Sequence, residues 1–118
     1  DDLQPVMERI RAADAVVFAT PVYFSDLSES MRAFTDRMRR VCRHAADNSG
    51  IESKRAIGIC VAGGGGGGAP ACTVSLEKVL RTCGFDVVDM VPVRRQNLPF
   101  KRDVLRLTGR WLAEEEHG

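Results

Sequence analysis

The sequence predicts an α/β fold in which helices cover both faces of a parallel β-sheet. Three short runs are almost wholly apolar and rich in β-branched residues, at positions 15–20, 56–61 and 87–91. Strands without a polar face are typical of parallel sheets, where both sides are buried. Amphipathic stretches precede, separate and follow these runs, and such alternation indicates right-handed crossover connections. The predicted order is helix, strand, helix, strand, helix, strand, helix.

Each helix is predicted from an apolar stripe at helical spacing. The first covers residues 5–12, and the third covers residues 72–83, where Gly84 is suited to end it. The stripe of the last helix is formed by Val104, Leu107, Thr108 and Trp111. The second helix carries the longest stripe, with members at alternating steps of four and three: Leu27, Met31, Phe34, Met38, Val41 and Ala45.

Length, composition and charge limit the classes of function that the chain can have. The 118 residues, with 44% hydrophobic and 28% charged side chains, predict one globular domain over residues 1–118. A net charge of +1 gives no global electrostatic reason to expect nucleic acid or an anionic membrane as a partner. No apolar run approaches the roughly 20 residues of a membrane helix, and the N-terminus lacks the pattern of a secretory signal. We therefore expect a cytoplasmic protein without a membrane partner.

The chain opens on a helix and offers only three strands. Such a sheet has two open edges and a small core, which is marginal for this architecture. The simplest interpretation is that the sequence lacks the N-terminal part of a longer domain.

The first candidate ligand-binding segment follows the first strand. Ligands of open α/β sheets sit beyond the carboxyl ends of the strands. Proline cannot continue a central ladder, so the strand is expected to end there and to place two aromatic residues on a loop. Such rings suit a flat aromatic ligand, although they could equally fold onto the core or form an oligomer contact. The candidate residues are Pro21, Val22, Tyr23, Phe24 and Ser25.

The second candidate segment is a run of six glycines between the second strand and the third helix. Residues without Cβ atoms let the backbone approach a ligand closely and adopt positive φ. The run matches neither the phosphate-loop pattern nor the dinucleotide fingerprint, and a simple connector is the alternative. The candidate residues are Ala62, Gly63, Gly64, Gly65 and Gly66.

Other residues are weaker candidates for chemistry. A basic stretch in the second helix is typical of a solvated helix face, with binding of a nucleotide phosphate or a partner as the alternative: Arg37, Arg39, Arg40, Arg43 and His44. The four cysteines form no C-x-x-C pair and lie in apolar segments, so we expect reduced, buried thiols and no metal site. Cys72 also falls in the first turn of the third helix, where a thiol pKa can be lowered, but it continues the apolar stripe. No Ser-His-Asp or paired-carboxylate arrangement is visible, and no catalytic side chain is predicted.

The two segments together resemble the NAD(P)H-dependent FMN reductase family. Residues 13–28 resemble its signature, residues 31–37 the helix that follows, and residues 56–68 its second flavin loop. Relatives include iron–sulfur flavoproteins and azoreductases. The resemblance implies a flavodoxin-like three-layer α/β/α sandwich, here N-terminally truncated.

The resemblance also implies roles for the candidate residues. Residues 21–25 would wrap one edge of the FMN isoalloxazine ring, and backbone N–H groups of residues 62–66 would approach the other polar edge. The reaction would be hydride transfer from NAD(P)H to FMN and onward reduction of a small-molecule acceptor, with the cofactor supplying the chemistry. The part that holds the FMN phosphate in the family has no counterpart in this sequence.

Two other functions stay open at this stage. The long glycine run and the absent phosphate loop would also suit a flavodoxin-like interaction module without catalysis. A flavodoxin-type electron carrier is the third possibility.

The long stripe of the second helix predicts assembly. A three-stranded sheet does not obviously cover all of it, and an exposed apolar face favours association. The resemblance implies dimers or tetramers. We therefore expect a homodimer, or a homotetramer, with the dimer contact made through this helix and Tyr23 or Phe24 near the partner.

Overall fold

A computed structural model describes residues 2–44 and 50–115. Within this part of the chain, three parallel strands form one sheet in the order β1-β2-β3. The strands are β1 (Ala15–Pro21), β2 (Arg55–Ala62) and β3 (Asp86–Arg94). The helices are α1 (Leu3–Ala12), α2 (Glu29–His44), α3 (Ala69–Cys83) and α4 (Leu98–Glu115), and a 3₁₀ turn, Arg95–Asn97, precedes α4. The predicted alternation and the parallel α/β class are confirmed.

The boundaries of β1 and β3 differ from the predicted ones. β1 does not stop before Pro21: the proline pairs with Val61 of β2, because β1 lies at an edge of this sheet, where a proline nitrogen can face away from the neighbouring strand. β3 extends to Arg94 and pairs Pro92 with Cys60 of β2, beyond the predicted end at residue 91. Proline is tolerated on an edge strand when its nitrogen faces away from the neighbouring strand, and β3 is at the edge of this sheet. Apolar periodicity cannot reveal this, because edge position is a property of the assembled sheet.

One face of the sheet carries the main core. Side chains from α1, α2 and α3 pack there on Phe18 of β1 and on the small residues of β2. Phe18 also contacts Phe85 edge-on, with 5.4 Å between ring centroids. Gly58 lets α3 approach β2, because a Cβ atom there would lie 2.8 Å from Leu76 Cδ2.

The stripe of α2 faces this core. Leu27 and Met38 are buried, and Met31, Phe34 and Val41 pack partly buried against the core cluster. Ala45, the last predicted member, lies outside the described residues. The sheet and its neighbouring helices therefore cover the stripe, which removes this argument for a dimer through α2; the dimer itself stays a prediction.

The opposite face is unevenly covered. Leu112 of α4 is buried, and its carbonyl accepts a hydrogen bond from Arg55 Nη1 at 3.0 Å. On β1 the same face is open, and Val17 is 52% exposed. None of the helices traced in residues 2–44 and 50–115 has the length and apolar character needed to cross a membrane.

Candidate functional site

The aromatic loop, residues 22–28, leaves the carboxyl end of β1 as a tight turn. The backbone N–H groups and carbonyls of Tyr23 and Asp26 exchange two hydrogen bonds, each 3.0 Å long. Phe24 and Ser25 at the tip have φ values of 51° and 62°. Side chains with a Cβ rarely adopt this left-handed region, and each such residue costs about 1–2 kcal/mol. The surrounding contacts must therefore hold the turn in place.

A buried hydroxyl holds this turn to the sheet. The Thr20 side chain is 2% exposed; its Oγ1 donates to the Pro21 carbonyl at 2.9 Å and accepts the Ser28 N–H at 3.2 Å. Ser28 Oγ in turn accepts the Met31 N–H at 3.1 Å and so caps the start of α2. Strand end, turn and helix start are thus joined by two short polar side chains.

The two aromatic rings of the loop stand in solvent. Tyr23 is 58% exposed and Phe24 is fully exposed. Together with Pro21 and residues 26–30 they line an open cavity of about 810 Å³. This size is within the range of small-molecule and cofactor sites, which combine apolar walls with few polar groups.

The glycine loop, residues 63–68, follows β2 and lies against the aromatic loop. Gly66 N–H donates to the Gly63 carbonyl at 2.8 Å and closes a turn. At Gly68, φ is 88°, and a Cβ atom there would lie 2.8 Å from Ser25 Cα. Only glycine permits both the backbone conformation and this contact. The two candidate segments are therefore brought together at the carboxyl edge of the sheet.

A third segment reaches the same place and was missed by the sequence analysis. Residues 94–96, which we call the arginine segment, begin at the last residue of β3 and contact the carbonyls of the glycine loop. Arg95 Nε donates to the Gly64 carbonyl at 3.1 Å, and Gln96 Nε2 donates to the Gly65 carbonyl at 3.1 Å. The sequence could have indicated these residues, because they lie at the carboxyl end of the third parallel strand. The carboxyl ends of all three strands meet at one edge of the sheet.

The predicted site residues differ in accessibility. Pro21, Tyr23, Phe24 and Ser25 are exposed, and so are Gly63, Gly64 and Gly65. Val22 is half-buried and its N–H donates to the Val61 carbonyl at 3.0 Å, which extends the ladder past the proline. Ala62 and Gly66 are buried. The exposed members are accessible to a ligand, whereas Ala62 and Gly66 are not.

The thiols lie beneath the site and are protected. Cys60 of β2 and Cys72 of α3 are buried and hydrogen-bonded to each other. Cys60 precedes the glycine loop and Cys72 follows it. Burial raises the pKa of Cys72, and burial with the Cys72 contact raises that of Cys60. Burial therefore outweighs any lowering from the helix N-terminus. In the described chain no cluster of three or more His, Cys, Asp or Glu side chains is arranged to hold a metal.

Comparison with known proteins decides the family. The family model described as NADPH-dependent FMN reductase matches residues 1–102. The chain belongs to this family. The flavodoxin-like fold predicted from the resemblance is confirmed by solved structures. No curated protein sequence matches the chain.

Solved structures of flavodoxin-like proteins share the architecture of this family member. The Trp repressor binding protein from Bacillus subtilis is 26% identical, with a TM-score of 0.63, over 77% of this chain and 56% of that one. General stress protein 14 from Treponema denticola, solved in complex with FMN, is 16% identical, with a TM-score of 0.64, over 97% and 73%. An NADPH-quinone reductase from P. pentosaceus is 15% identical, with a TM-score of 0.64, over 98% and 73%.

The chain spans about half the length of the first two matches. It covers 56% of the Bacillus protein and 47% of a flavodoxin, WrbA-like protein from Agrobacterium tumefaciens. The activity, substrates and partners of a full-length relative can therefore only be proposed for this chain.

Proposed function

We propose that this chain carries the isoalloxazine-binding loops of an FMN-dependent NAD(P)H oxidoreductase that reduces a small-molecule acceptor. Membership of the NADPH-dependent FMN reductase family supports this, and so does the relative solved with FMN. The single observation that carries the proposal is the contact of the aromatic loop with the glycine loop at Ser25 and Gly68. It supports the proposal because it joins the loop that carries the exposed rings to the loop that carries bare backbone.

The residues present fit a flavin ring. Tyr23 and Phe24 offer two exposed aromatic surfaces next to a cavity of about 810 Å³. At Gly63, Gly64 and Gly65 a Cβ atom would meet nothing within 4 Å, so open space lies beside that backbone. A planar heteroaromatic ring with a polar edge needs this combination of apolar surface and backbone donors.

The proposal assigns roles to the two loops. FMN, when bound, supplies the hydride chemistry. Residues 21–25 then pack against the ring and exclude water from it. Residues 62–66 approach its polar edge, and the exposed residues 63–65 supply the donors, because the Gly66 N–H is already bonded to the Gly63 carbonyl. NAD(P)H as co-substrate is supported by the family description. No side chain of the chain is assigned as an acid or base, because the cofactor carries the reaction.

Assembly and location belong to the same proposal. We propose a homodimer or homotetramer in the cytoplasm. Exposed rings at the tip of the aromatic loop support a subunit contact close to the flavin, because solvent-exposed aromatic residues are enriched at interfaces. Light scattering at several protein concentrations tests the assembly, and an unchanged monomer mass across the range would contradict it.

The first experiment is a flavin titration of the purified chain. Added FMN should show a perturbed absorbance spectrum and quenched fluorescence, and NADPH oxidation with a quinone acceptor should saturate with NADPH. Tyr23→Ala should weaken both signals, whereas Phe100→Ala, which removes an exposed ring from α4, should leave them unchanged.

The outcomes separate the candidate functions. FMN binding without NADPH oxidation would favour an electron carrier. Absence of any flavin binding would contradict the proposal and favour a non-catalytic interaction module.

A further inference from the structure

The glycine loop is held by side chains that lie about thirty residues further along the chain. Arg95 Nε and Gln96 Nε2 donate to the Gly64 carbonyl at 3.1 and 3.4 Å. Gln96 Nε2 and Arg94 Nη2 donate to the Gly65 carbonyl at 3.1 and 3.5 Å. Two consecutive carbonyl oxygens are therefore turned towards one segment.

This arrangement fixes where the intervening N–H points. Every peptide bond in the described chain is trans, so the Gly64 carbonyl and the Gly65 N–H point in opposite directions. With the carbonyl held by Arg95 and Gln96, the Gly65 N–H is directed away from the arginine segment. It has no hydrogen-bond partner in residues 2–44 and 50–115. A Cβ atom at Gly63, Gly64 or Gly65 would meet nothing within 4 Å, so the loop is open around this peptide.

The arginine segment is itself anchored. The Arg94 N–H donates to Asn97 Oδ1 at 2.8 Å, which closes the 3₁₀ turn before α4. Gln96 also packs against Gly66, where φ is 82° and a Cβ atom would overlap the Gln96 carboxamide. Within the described residues neither Arg94 nor Arg95 forms an ion pair, so both guanidinium charges act on the loop carbonyls.

We propose that Arg94, Arg95 and Gln96 are positioning residues that present the Gly65 N–H to an acceptor atom on the polar edge of the flavin ring. The inference rests on the proposed function and deepens it. A cationic donor on the Gly64 oxygen polarises the peptide and makes its N–H a stronger donor. The segment therefore favours the ring state with more negative charge at that edge, which is the reduced state.

The first test needs no flavin. In ¹H–¹⁵N spectra of the purified chain, Gly65 should give one sharp amide signal. In the double variant Arg95→Ala/Gln96→Ala this signal should shift and broaden, because the Gly64–Gly65 peptide loses its fixed orientation. Arg102→Ala/Gln4→Ala is the matched control: it removes the same residue types from exposed helix positions away from the loop.

The second test adds FMN. The double variant should bind oxidised FMN about five- to tenfold more weakly, the loss expected for one well-oriented hydrogen bond. Its midpoint potential should fall, since the reduced state loses more than the oxidised one. When lysine instead of alanine replaces Arg95 (Arg95→Lys), part of the lost midpoint potential should be recovered, because an ammonium still donates to the Gly64 carbonyl. The thermal midpoint of all variants should stay near that of the unaltered chain, since the removed groups are largely exposed.

The outcomes distinguish this inference from the proposed function. If the unaltered chain binds no FMN, the proposed function fails, while the Gly65 signal still tests the positioning. An unchanged Gly65 signal in the double variant overturns the positioning role. Equal potentials of unaltered and variant protein overturn the role in favouring the reduced ring.

Discussion

The aromatic loop and the glycine loop meet at one edge of the sheet, and the polar side chains that hold them lie at very different distances along the chain. In the aromatic loop, the hydrogen bond between Thr20 and Ser28 spans eight residues. The glycine loop is held by Arg94, Arg95 and Gln96, which lie 29 to 32 residues along the chain.

The loops also accommodate positive φ in different ways. The aromatic loop places Phe24 and Ser25 in the left-handed region, and the glycine loop uses Gly64, Gly66 and Gly68. The first loop keeps its rings at the expense of backbone strain, whereas the second avoids strain and presents bare backbone. The difference indicates a division of roles: one loop offers apolar surface, and the other offers N–H donors.

The largest effect on stability is expected from a substitution that disrupts the contact between the two loops. Gly68→Ala places a Cβ atom 2.8 Å from Ser25 Cα at a φ of 88°. We expect a loss of about 2–4 kcal/mol in the free energy of unfolding, from strain and overlap with backbone. Urea denaturation measures it. Gly67→Ala is the control, because a Cβ atom there meets nothing within 4 Å. Equal effects of the two substitutions would refute the contact.

The thiol pair beneath the glycine loop predicts a dependence of stability on pH. The pKa values of Cys60 and Cys72 are raised above their ordinary value of 9.0, so folding favours the protonated thiols. Their contribution is fully present below pH 9.0 and is lost as pH rises, because thiols of the unfolded chain ionise first. Stability should fall as the pH rises above 9.0, by at most about 1.4 kcal/mol per pH unit for each thiol.

Urea denaturation at pH 8 and pH 10 measures this fall. Cys60→Ala/Cys72→Ala should show a shallower decline than the unaltered chain, which separates the thiols from lysine and tyrosine groups. Parallel declines of the two proteins would show that these thiols ionise as readily in the folded chain.

The next effect concerns the buried hydroxyl of the aromatic loop. Thr20→Val keeps the shape but leaves the Ser28 N–H without its acceptor. We expect a cost of about 1–2 kcal/mol in the free energy of unfolding. Thr82→Val removes a hydroxyl that donates to the Lys78 carbonyl on an exposed helix turn, and serves as control. A Thr20 variant as stable as the Thr82 variant would contradict the anchoring role.

The smallest effect on stability is expected at the tip of the aromatic loop. Phe24→Ala removes a fully exposed ring, so the free energy of unfolding should change by less than about 0.5 kcal/mol. The affinity for FMN should nevertheless fall about tenfold, because an aromatic contact with the ring is lost. Isothermal titration and urea denaturation together separate the two quantities. A drop in stability without a change in affinity would place this ring in the fold and not in the site.

Sequence patterns foresee the fold and the local loop, and they fail where the contacts are long-range. Apolar runs specify β1 and β2, although one face of β1 is open in the described chain and Val17 on that face is 52% exposed. The turn after Pro21 is equally visible, since its anchors Thr20 and Ser28 are near in sequence. The arginine segment escapes notice, because Arg94 and Arg95 look like ordinary surface charges until the parallel sheet brings the end of β3 beside Gly64.

The α2 stripe shows the opposite limit. Its length suggests an uncovered face, but the stripe includes positions that β1 and α3 cover once the layers assemble. Burial of Met38 therefore follows from packing that sequence spacing alone does not measure.

The central claim, that the two loops form a single flavin site, is tested most directly by titrating FMN into ¹⁵N-labelled chain and following the backbone amides. Signals of Tyr23, Phe24, Ser25 and of Gly63, Gly64 and Gly65 should shift together with one dissociation constant, while signals of α1 stay in place. Shifts of amide signals in only one loop would contradict the claim. Different dissociation constants from the signals of the two loops would contradict it as well.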